Sequence, residues 1–255
     1  MRLRSTLAAC CLAVCCLSAC GTASPRVATS EPPGVPVVVT LGDAVPAGTA
    51  CGCDPFPDLY ARGQNAVSEN LAVPGYTSAD VRAQIAGVHT ALTAADEVLL
   101  MIGANDLAQA FDDDASFAGA ADTMRANVTA TITAIESIHR TTVIVLGYWD
   151  VVQDGKVAAE NYGPAGVREA ASATTYANDA LMTAARETGA TYVSTEAAFH
   201  GTGGSQDPTD LLAPDGDHPD AAGHAAIAAL IPPLAGPYAQ ARSRPPASPT
   251  RSGPG

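Results

Sequence analysis

The sequence has few basic residues. It holds 13 lysine and arginine residues, of which Lys156 is the one lysine, against 26 aspartate and glutamate residues, for a formal charge of −13. Binding to nucleic acid needs clustered basic side chains that displace counterions from phosphates, and no such cluster stands outside the two ends of the chain. Nucleic acid is therefore excluded as a partner.

Aromatic side chains are also scarce. They make up 5% of the 255 residues, whereas hydrophobic residues make up 47%, most of them alanine and valine. A chain of this length and apolar content can bury one sizeable core, and a single domain of about 200 residues fits it. We expect its helices to pack closely through small side chains, with few aromatic anchors.

Cysteine is nearly absent beyond the first twenty residues, which hold five of the seven. Basic residues at positions 2 and 4 precede an apolar run over 7–17, and small residues then lead to Cys20. This pattern is typical of an export signal, and the run is too short to span a bilayer. Ending in Leu-Ser-Ala-Cys, it resembles a bacterial lipoprotein signal. We expect removal of residues 1–19, lipidation of Cys20 and an exported protein anchored at the outer face of the cell membrane, with plain secretion as the alternative.

Two further segments are expected to carry no chemistry. Residues 20–36 and 236–255 are small, polar and rich in proline. Such composition is typical of a flexible tether and a disordered tail. One domain is thus predicted over residues 37–235, and we expect it to be a monomer.

Cys51 and Cys53 are the two cysteines left for the domain. A metal site would need further ligands, and the five histidines show no matching spacing, so no metal or other cofactor is expected. In an oxidising compartment a disulfide between these cysteines is favoured over two free thiols. Its loop is so small that it would constrain a local turn more than the whole fold.

Apolar runs alternate with segments of helical periodicity along the domain. Strands are predicted at residues 37–41, 66–73, 97–102, 142–146 and 191–194, and helices at 55–63, 77–94, 116–139, 165–188 and 221–234. Continuous apolar strands separated by helices are typical of a parallel sheet that is covered on both faces. The predicted fold is therefore α/β, a three-layer α/β/α sandwich with a central parallel sheet, in which ligands bind at the carboxyl ends of the strands.

Four polar segments stand at strand ends or just before the last helix. They are Gly42-Asp43-Ala44, Val73-Pro74-Gly75, Gly103-Ala104-Asn105-Asp106 and Asp215-Gly216-Asp217-His218. In this order and spacing they resemble the SGNH hydrolase family, also called GDSL esterases or lipases, over residues 37–235. The resemblance implies a flavodoxin-like SGNH fold and the hydrolysis of small-molecule acyl esters of lipids or carbohydrates.

The resemblance also implies a role for each motif residue. Position 44 is that of the nucleophile, and its backbone N–H forms an oxyanion hole with the N–H of Gly75 and the side-chain amide of Asn105. His218 is the general base, and Asp215 orients it. In chemical terms this is the Ser-His-Asp scheme of base-activated hydroxyl, oriented imidazole and donors aimed at the developing oxyanion.

Position 44 departs from the family's pattern. Ala44 stands where the family has a serine, and a methyl group cannot attack a carbonyl. Thr40 and Thr49 are misplaced as substitutes, and Asp43 is expected to support the turn. We expect activity to be lost or very slow, with a water activated by His218 in place of the hydroxyl. The alternative is a non-catalytic binding protein that holds acyl or carboxylate ligands in the remaining oxyanion hole.

We expect the other polar residues that stand out in the sequence to have no catalytic role. Asp112-Asp113-Asp114 is expected to be the solvated start of a helix, which the helix dipole favours. Asp217 is expected to be exposed. His224 is expected at the surface or its boundary, and His200 has no evident partner.

Substrate specificity is assigned to two loops, residues 104–114 and 148–163. Trp149 lies in the second loop, just after a predicted strand. It either lines the acyl or leaving-group pocket or caps the core.

Overall fold

A computed structural model gives the fold of the chain. It describes residues 34–112 and 116–234, which belong to one unit, Pro33–Gly255. The export signal, Cys20, most of the tether and the tail lie outside the described residues, as do Asp113, Asp114 and the side chain of Asp112.

Five parallel strands form the central sheet in the order β2-β1-β3-β4-β5. The strands are β1 (Val37–Gly42), β2 (Val67–Asn70), β3 (Glu97–Met101), β4 (Thr142–Leu146) and β5 (Thr191–Val193). Every residue of β3 is buried, and β1 and β4 are buried at all but their first residues. Their continuous apolar runs follow from having both faces covered, and the predicted α/β fold with a central parallel sheet is confirmed.

The helices form two groups that cover the sheet. In the first group α3 (Ser78–Gln84), α4 (His89–Ala94), α5 (Ala104–Asp112) and α7 (Gly155–Thr188) pack on α6 (Phe117–Ile138). In the second group α2 (Phe56–Gly63) and α8 (Glu196–His200) pack on α9 (Ala221–Leu230). The chain moves one way from β1 to β2 and the other way from β2 to β5. Because parallel crossovers are right-handed, these two directions place the helix groups on opposite faces.

The two longest helices pack on each other and bury different kinds of side chain. On α6 the periodic residues Met124, Val128, Ile132 and Ile135 are buried. The buried residues of α7 include Ala173, Ala177, Ala180 and Ala184. Most of the buried positions of α7 are therefore alanine. No helix among the described residues is both long enough and apolar enough to cross a membrane.

Several elements differ from the sequence prediction, three of them near the polar segments or the connecting loops. The helix predicted at 77–94 is two helices, because the chain turns between them, where the amide of Gly87 donates to the carbonyl of Gln84 at 2.8 Å. α7 begins at Gly155, ten residues earlier than predicted, and has a kink at Gly163 (φ +63°) before Pro164. Proline disrupts the interior of a helix, so the pattern suggested a start there. Residues 104–112, expected to be a loop, form α5.

Candidate active site

The sheet has a switch point at β1, since the chain leaves this strand on one side to β2 and returns on the other side as β3. Open α/β sheets bind ligands in the crevice at such a point. A cavity of about 430 Å³ opens there. It brings together residues from the ends of three strands and from the loop before α9, among them Asp43, Ala44, Asn105, Tyr148, Asp150, Asp217 and His218.

A tight turn carries Ala44 into this cavity. Gly42, the last residue of β1, has φ +156°, and a Cβ there would lie 2.1 Å from the carbonyl oxygen of Met101 on β3. The amide of Asp43 donates to that same oxygen at 3.2 Å. Asp43 then caps the short helix α1 (Ala44–Ala47) by accepting the amide of Val45 at 3.1 Å. These contacts fix the backbone at Ala44 in the first position of α1.

Asp43 is buried beneath the cavity, with 1% of its surface exposed. One carboxylate oxygen accepts the Val45 amide, and the other accepts the hydroxyl of Tyr148. Burial raises the pKa of Asp43 to about 7, against the effect of these two hydrogen bonds. With both oxygens engaged, Asp43 is suited to support the turn and not to attack a substrate.

Asn105 joins the second and third motif segments. It lies in the first turn of α5, and its Nδ2 donates to the carbonyl of Tyr76 at 2.8 Å. Tyr76 closes a turn on Val73 through a 3.2 Å hydrogen bond, and Gly75 between them has φ +84°. A side-chain amide carries two hydrogens, so one remains for a group in the cavity.

Asp106, the last residue of the third segment, ties α5 to α3. Its carboxylate accepts the amide of Ser78 at 2.8 Å and the hydroxyl of Ser78 at 2.6 Å. Burial raises its pKa in spite of these bonds. The Asp106–Ser78 contact thus holds the start of α5, and with it Asn105, in place.

Asp215 and His218 form a hydrogen-bonded pair within one turn. Asp215 Oδ2 lies 2.8 Å from Nδ1 of His218, and its Oδ1 accepts the amides of Asp217 at 3.0 Å and His218 at 3.1 Å. An ionised carboxylate only accepts, so this geometry assigns the proton to Nδ1 and leaves Nε2 as an acceptor for a group in the cavity. Although burial opposes ionisation, these hydrogen bonds lower the pKa of Asp215.

Asp217 lies beside this pair but does not bond to the imidazole. Its nearest carboxylate oxygen is 3.9 Å from Nδ1 of His218, which is beyond hydrogen-bond distance. Asp217 is half-buried and lines the cavity, and burial raises its pKa. Its side chain is 44% exposed, so Asp217 faces both solvent and the cavity. The choice of Asp215 as the partner of His218 agrees with the 2.8 Å contact.

The sequence over residues 39–226 matches the model of the GDSL-like lipase/acylhydrolase family. The chain belongs to this family. None of the curated proteins is significantly similar to it in sequence.

Solved structures with the same fold include three hydrolases. The lipase Lip_vut3 from a goat rumen metagenome superimposes with a TM-score of 0.60 at 18% identity, over 76% of this chain and 95% of its own. A catalytic mutant of the acetylxylan esterase Axe2 from Geobacillus stearothermophilus gives 0.57 at 19% identity, over 76% and 91%. Phospholipase A1 from Streptomyces albidoflavus NA297 gives 0.56 at 21% identity, over 78% and 100%. At these identities the likeness shows the fold alone.

Sequence reasoning missed four residues of this GDSL-like site, which all follow β4 and line the cavity: Tyr148, Asp150, Gln153 and Tyr162. Burial and the charge of nearby Asp154 raise the pKa of Asp150 to about 7, although the amide of Val152 donates to it at 3.2 Å. Gln153 donates to the backbone carbonyl of Asp215 at 2.9 Å, which links this segment to the histidine turn. The only signal for them was their place in the loop 148–163.

Trp149 packs in the core. Its side chain is 3% exposed and stacks on Phe199, with ring centroids 4.0 Å apart. Of the two positions that the sequence left open, it takes the one that caps the core. It also adjoins a cavity separate from the candidate active site.

His200 has a partner that the sequence did not reveal. Its Nε2 lies 3.1 Å from the carboxylate of Asp154, which caps α7. The bond to Asp154 raises the pKa of His200 to about 9. The expectation of a histidine without a partner was therefore wrong.

The fold brings one histidine to the cysteine pair. One ligand atom each from Cys51, Cys53 and His224 lies within 4.8 Å of the others. His224 is fully buried, not at the surface as expected, and its Nδ1 accepts the amide of Phe56 at 3.2 Å. Burial lowers its pKa to about 4, so the ring is neutral with its proton on Nε2. Neither nitrogen is then free to hold a metal.

The sulfur atoms of Cys51 and Cys53 are in direct contact, and their Cα atoms are 5.1 Å apart. This separation lies within the range that a disulfide spans. The disulfide stays a prediction, which thiol titration of the unreduced protein tests.

Proposed function

We propose that the chain is an exported ester hydrolase of the GDSL type whose site carries alanine at the nucleophile position. One observation carries the proposal. His218, held by Asp215, lines the same cavity as Ala44 and Asn105, at the switch point of the sheet. One cavity thus offers a base with its orienting acid behind it and an amide donor, which are the groups that ester hydrolysis needs.

The residues divide the chemistry between them. In the proposal the amides of Ala44 and Gly75 and Nδ2 of Asn105 hold the oxygen of the substrate carbonyl as it becomes negative. His218, held by Asp215, acts as the base.

With a methyl group at Ala44, the nucleophile is water. His218 takes one proton from this water, and the oxygen forms a bond to the carbonyl carbon. The carbon–oxygen bond to the alcohol then breaks, and His218 returns the proton to the leaving alkoxide. One ester and one water give one acid and one alcohol, with no covalent intermediate on the protein.

The rate expected for this route is low. When a serine hydrolase loses a member of its triad, the remaining oxyanion hole and binding contacts retain an acceleration of about 10³–10⁴ over water, roughly 10⁶-fold below the intact enzyme. We expect the chain to fall near this level.

The test adds the missing hydroxyl. Ala44→Ser should raise hydrolysis of a short-chain aryl ester by at least about 10⁴-fold, measured as kcat/KM. Ala47→Ser is the matched control, since it adds a hydroxyl to the same helix α1 outside the cavity lining. Equal rates for the Ala44 protein and Ala44→Ser would contradict the proposal.

The substrate class follows the family and stays coarse. The similar structures are described as a lipase, an acetylxylan esterase and a phospholipase A1. Their names indicate esters of lipids and of a carbohydrate. We propose acyl esters of lipids or carbohydrates as the substrates of this chain.

A second candidate function is ligand binding without turnover. It is favoured by Ala44 itself, because the methyl group leaves the cavity and its donors in place while removing the attack. The ligand would be an acyl group, since a carboxylate would approach Asp150 and Asp217. Calorimetric binding of a short-chain ester, with no gain in turnover from Ala44→Ser, would favour this function.

The proposal includes anchoring of the exported protein through Cys20. It is supported by the basic, apolar and small-residue order of residues 1–20. Incorporation of labelled fatty acid in a bacterial host should be lost in Cys20→Ser. Equal labelling of both proteins would contradict it and leave plain secretion as the alternative.

A further inference from the structure

The candidate active site is lined by charge of one sign. Among the described residues that line its cavity, Asp43, Asp150 and Asp217 are acidic and none is lysine or arginine. An adjoining cavity of about 410 Å³ shares Tyr162 with it and adds Glu169, again without a basic residue among those described. Apart from His218, every titratable side chain that lines these two cavities is negative when ionised.

Two of these carboxylates are placed to meet a ligand. Asp43 is turned inward, where Tyr148 and the Val45 amide occupy both of its oxygens. By contrast, Asp217 accepts no hydrogen bond through its side chain from any described residue. Asp150 uses one oxygen, which accepts the Val152 amide and the Thr174 hydroxyl, both at 3.2 Å.

Tyr162 lines the same cavity as the two carboxylates. It also lines the adjoining cavity and is 40% exposed. Partial burial and the charges of Asp217 and Asp150 raise the pKa of its hydroxyl. An aromatic ring beside two carboxylates suits an ammonium group, which is attracted by the ring face and by the negative charges.

The position of Asp217 indicates which part of an ester it meets. It is the neighbour of His218 in the turn, and both line the cavity. In the proposed hydrolysis His218 delivers its proton to the leaving alkoxide, so the alcohol part of the ester lies on this side.

We propose that this site selects esters by charge, favouring those whose alcohol carries an ammonium group held by Asp150, Asp217 and Tyr162, and rejecting anionic esters. The selection rests on the proposed function, because it assigns the alcohol side from the role of His218. Burial disfavours the ionised form of both carboxyl groups and so raises their pKa. A cation that approaches them stabilises the ionised form and reduces this cost of ionisation. An anion adds to that cost.

The test uses matched esters and the Ala44→Ser protein. Acetylcholine is cationic, 3,3-dimethylbutyl acetate is its neutral isostere, and 3-acetoxypropionate is anionic. We expect kcat/KM to be at least about tenfold higher for the cationic ester than for the neutral one, and at least about tenfold lower for the anionic ester. Equal kcat/KM for the three esters overturns the inference while leaving the proposed function standing.

Charge-neutral variants identify the residues. In the Ala44→Ser background, Asp217→Asn and Asp150→Asn should each reduce the cationic-to-neutral ratio several-fold. Glu136→Gln is the control for net charge, since Glu136 is an exposed acid on α6 outside both cavities. A ratio that falls equally in all three variants reflects general charge and contradicts the assignment.

A binding measurement separates this inference from the proposed function. If Ala44→Ser does not hydrolyse any ester, the proposed function fails. The Ala44 protein is then titrated calorimetrically with choline and with 3,3-dimethyl-1-butanol. Choline should bind about tenfold more tightly, and Asp217→Asn should abolish the difference. Equal affinity for the two alcohols overturns the charge selection.

Discussion

At the scale of single residues, contacts within one short segment build the pair of Asp215 and His218, whereas the fold of the whole domain brings Ala44 to the same cavity. Asp215 receives three hydrogen bonds, all from residues within three positions of it, so a four-residue segment builds the pair by itself. Ala44 meets His218 only because β1 and the loop before α9 converge on one cavity. The pair could therefore be predicted from spacing, whereas the cavity needed the fold.

Asp215→Asn should disable the base while leaving the cavity intact. An amide in place of the carboxylate can present its NH₂ group to Nδ1 and favour the wrong tautomer of His218. In the Ala44→Ser background we expect kcat to fall by about 10³–10⁴-fold, as in serine proteases altered at the same kind of residue. Ester hydrolysis with pH-stat detection measures it.

Asp210→Asn is the matched control for that change. Asp210 is an exposed aspartate in the short 3-10 helix Thr209–Leu211, five residues earlier in the chain. It should change kcat by less than twofold. Comparable losses in both variants would contradict the orienting role of Asp215.

Long-range partners explain the residues that sequence reasoning misplaced. His200 pairs with Asp154, 46 positions away, and His224 accepts the amide of Phe56, 168 positions away. Such contacts leave no periodic signal in the sequence.

At the scale of elements, strand ends were easier to predict than the helices that follow them. β4 was predicted at residues 142–146, where it lies, because its run of apolar residues is bounded by polar ones. The first turns of α1 and α5 were missed because contacts distant in sequence hold them: Tyr148 donates to Asp43 before α1, and Ser78 donates to Asp106 in α5. These missed turns are the ones that carry Ala44 and Asn105.

Gly42→Ala tests whether the turn after β1 is as crowded as it looks. The new methyl group would lie 2.1 Å from the Met101 carbonyl oxygen and 2.7 Å from Cγ of Pro46, on a backbone with φ +156°. We expect the free energy of unfolding to fall by about 2–4 kcal/mol in urea denaturation.

Gly63→Ala is the comparison for that prediction. A methyl group there meets nothing within 4 Å, and the residue ends α2 with ordinary helical backbone. Its free energy of unfolding should stay the same or rise by about 0.5 kcal/mol. Equal destabilisation by both changes would refute the crowding at Gly42.

At the scale of the whole molecule, buried ionisable groups set the pH dependence of stability. Burial raises the pKa of Asp43, Glu97 and Asp150 to about 7, so these acids cost stability as pH rises from about 4 to 7. His224 acts the other way, since its pKa of about 4 in the folded state costs stability as pH falls below 6.5. His200, with a pKa of about 9, contributes stability that is complete below pH 6.5 and lost as pH rises to 9.

Between pH 6.5 and 9 the groups that still titrate in the folded state all reduce the stability as pH rises. His224 is neutral in the folded and unfolded states over most of this range, whereas His200 loses its proton. We expect the Tm to fall by roughly 2–5 °C between pH 6.5 and 9, with partial exposure of the ion pair limiting the change. Calorimetry at constant ionic strength measures it.

Two histidine variants test the source of that slope. His200→Gln should reduce the fall in Tm between pH 6.5 and 9, most clearly above pH 8, because above this pH the acids with a pKa of about 7 are already ionised and His200 still loses its proton. His139→Gln, at an exposed position past the end of α6, should leave the slope as it is. A slope that survives His200→Gln unchanged assigns the pH dependence to other groups.

The central claim is that the cavity holds the machinery of a serine hydrolase without its nucleophile. Covalent labelling by a p-nitrophenyl phosphonate, read by intact mass, tests it most directly. We predict one adduct on Ala44→Ser, at position 44, and none on the Ala44 protein. Labelling of Ala44→Ser combined with His218→Ala should be at least about 10³-fold slower. An unlabelled Ala44→Ser protein, or labelling that does not depend on His218, would contradict the account.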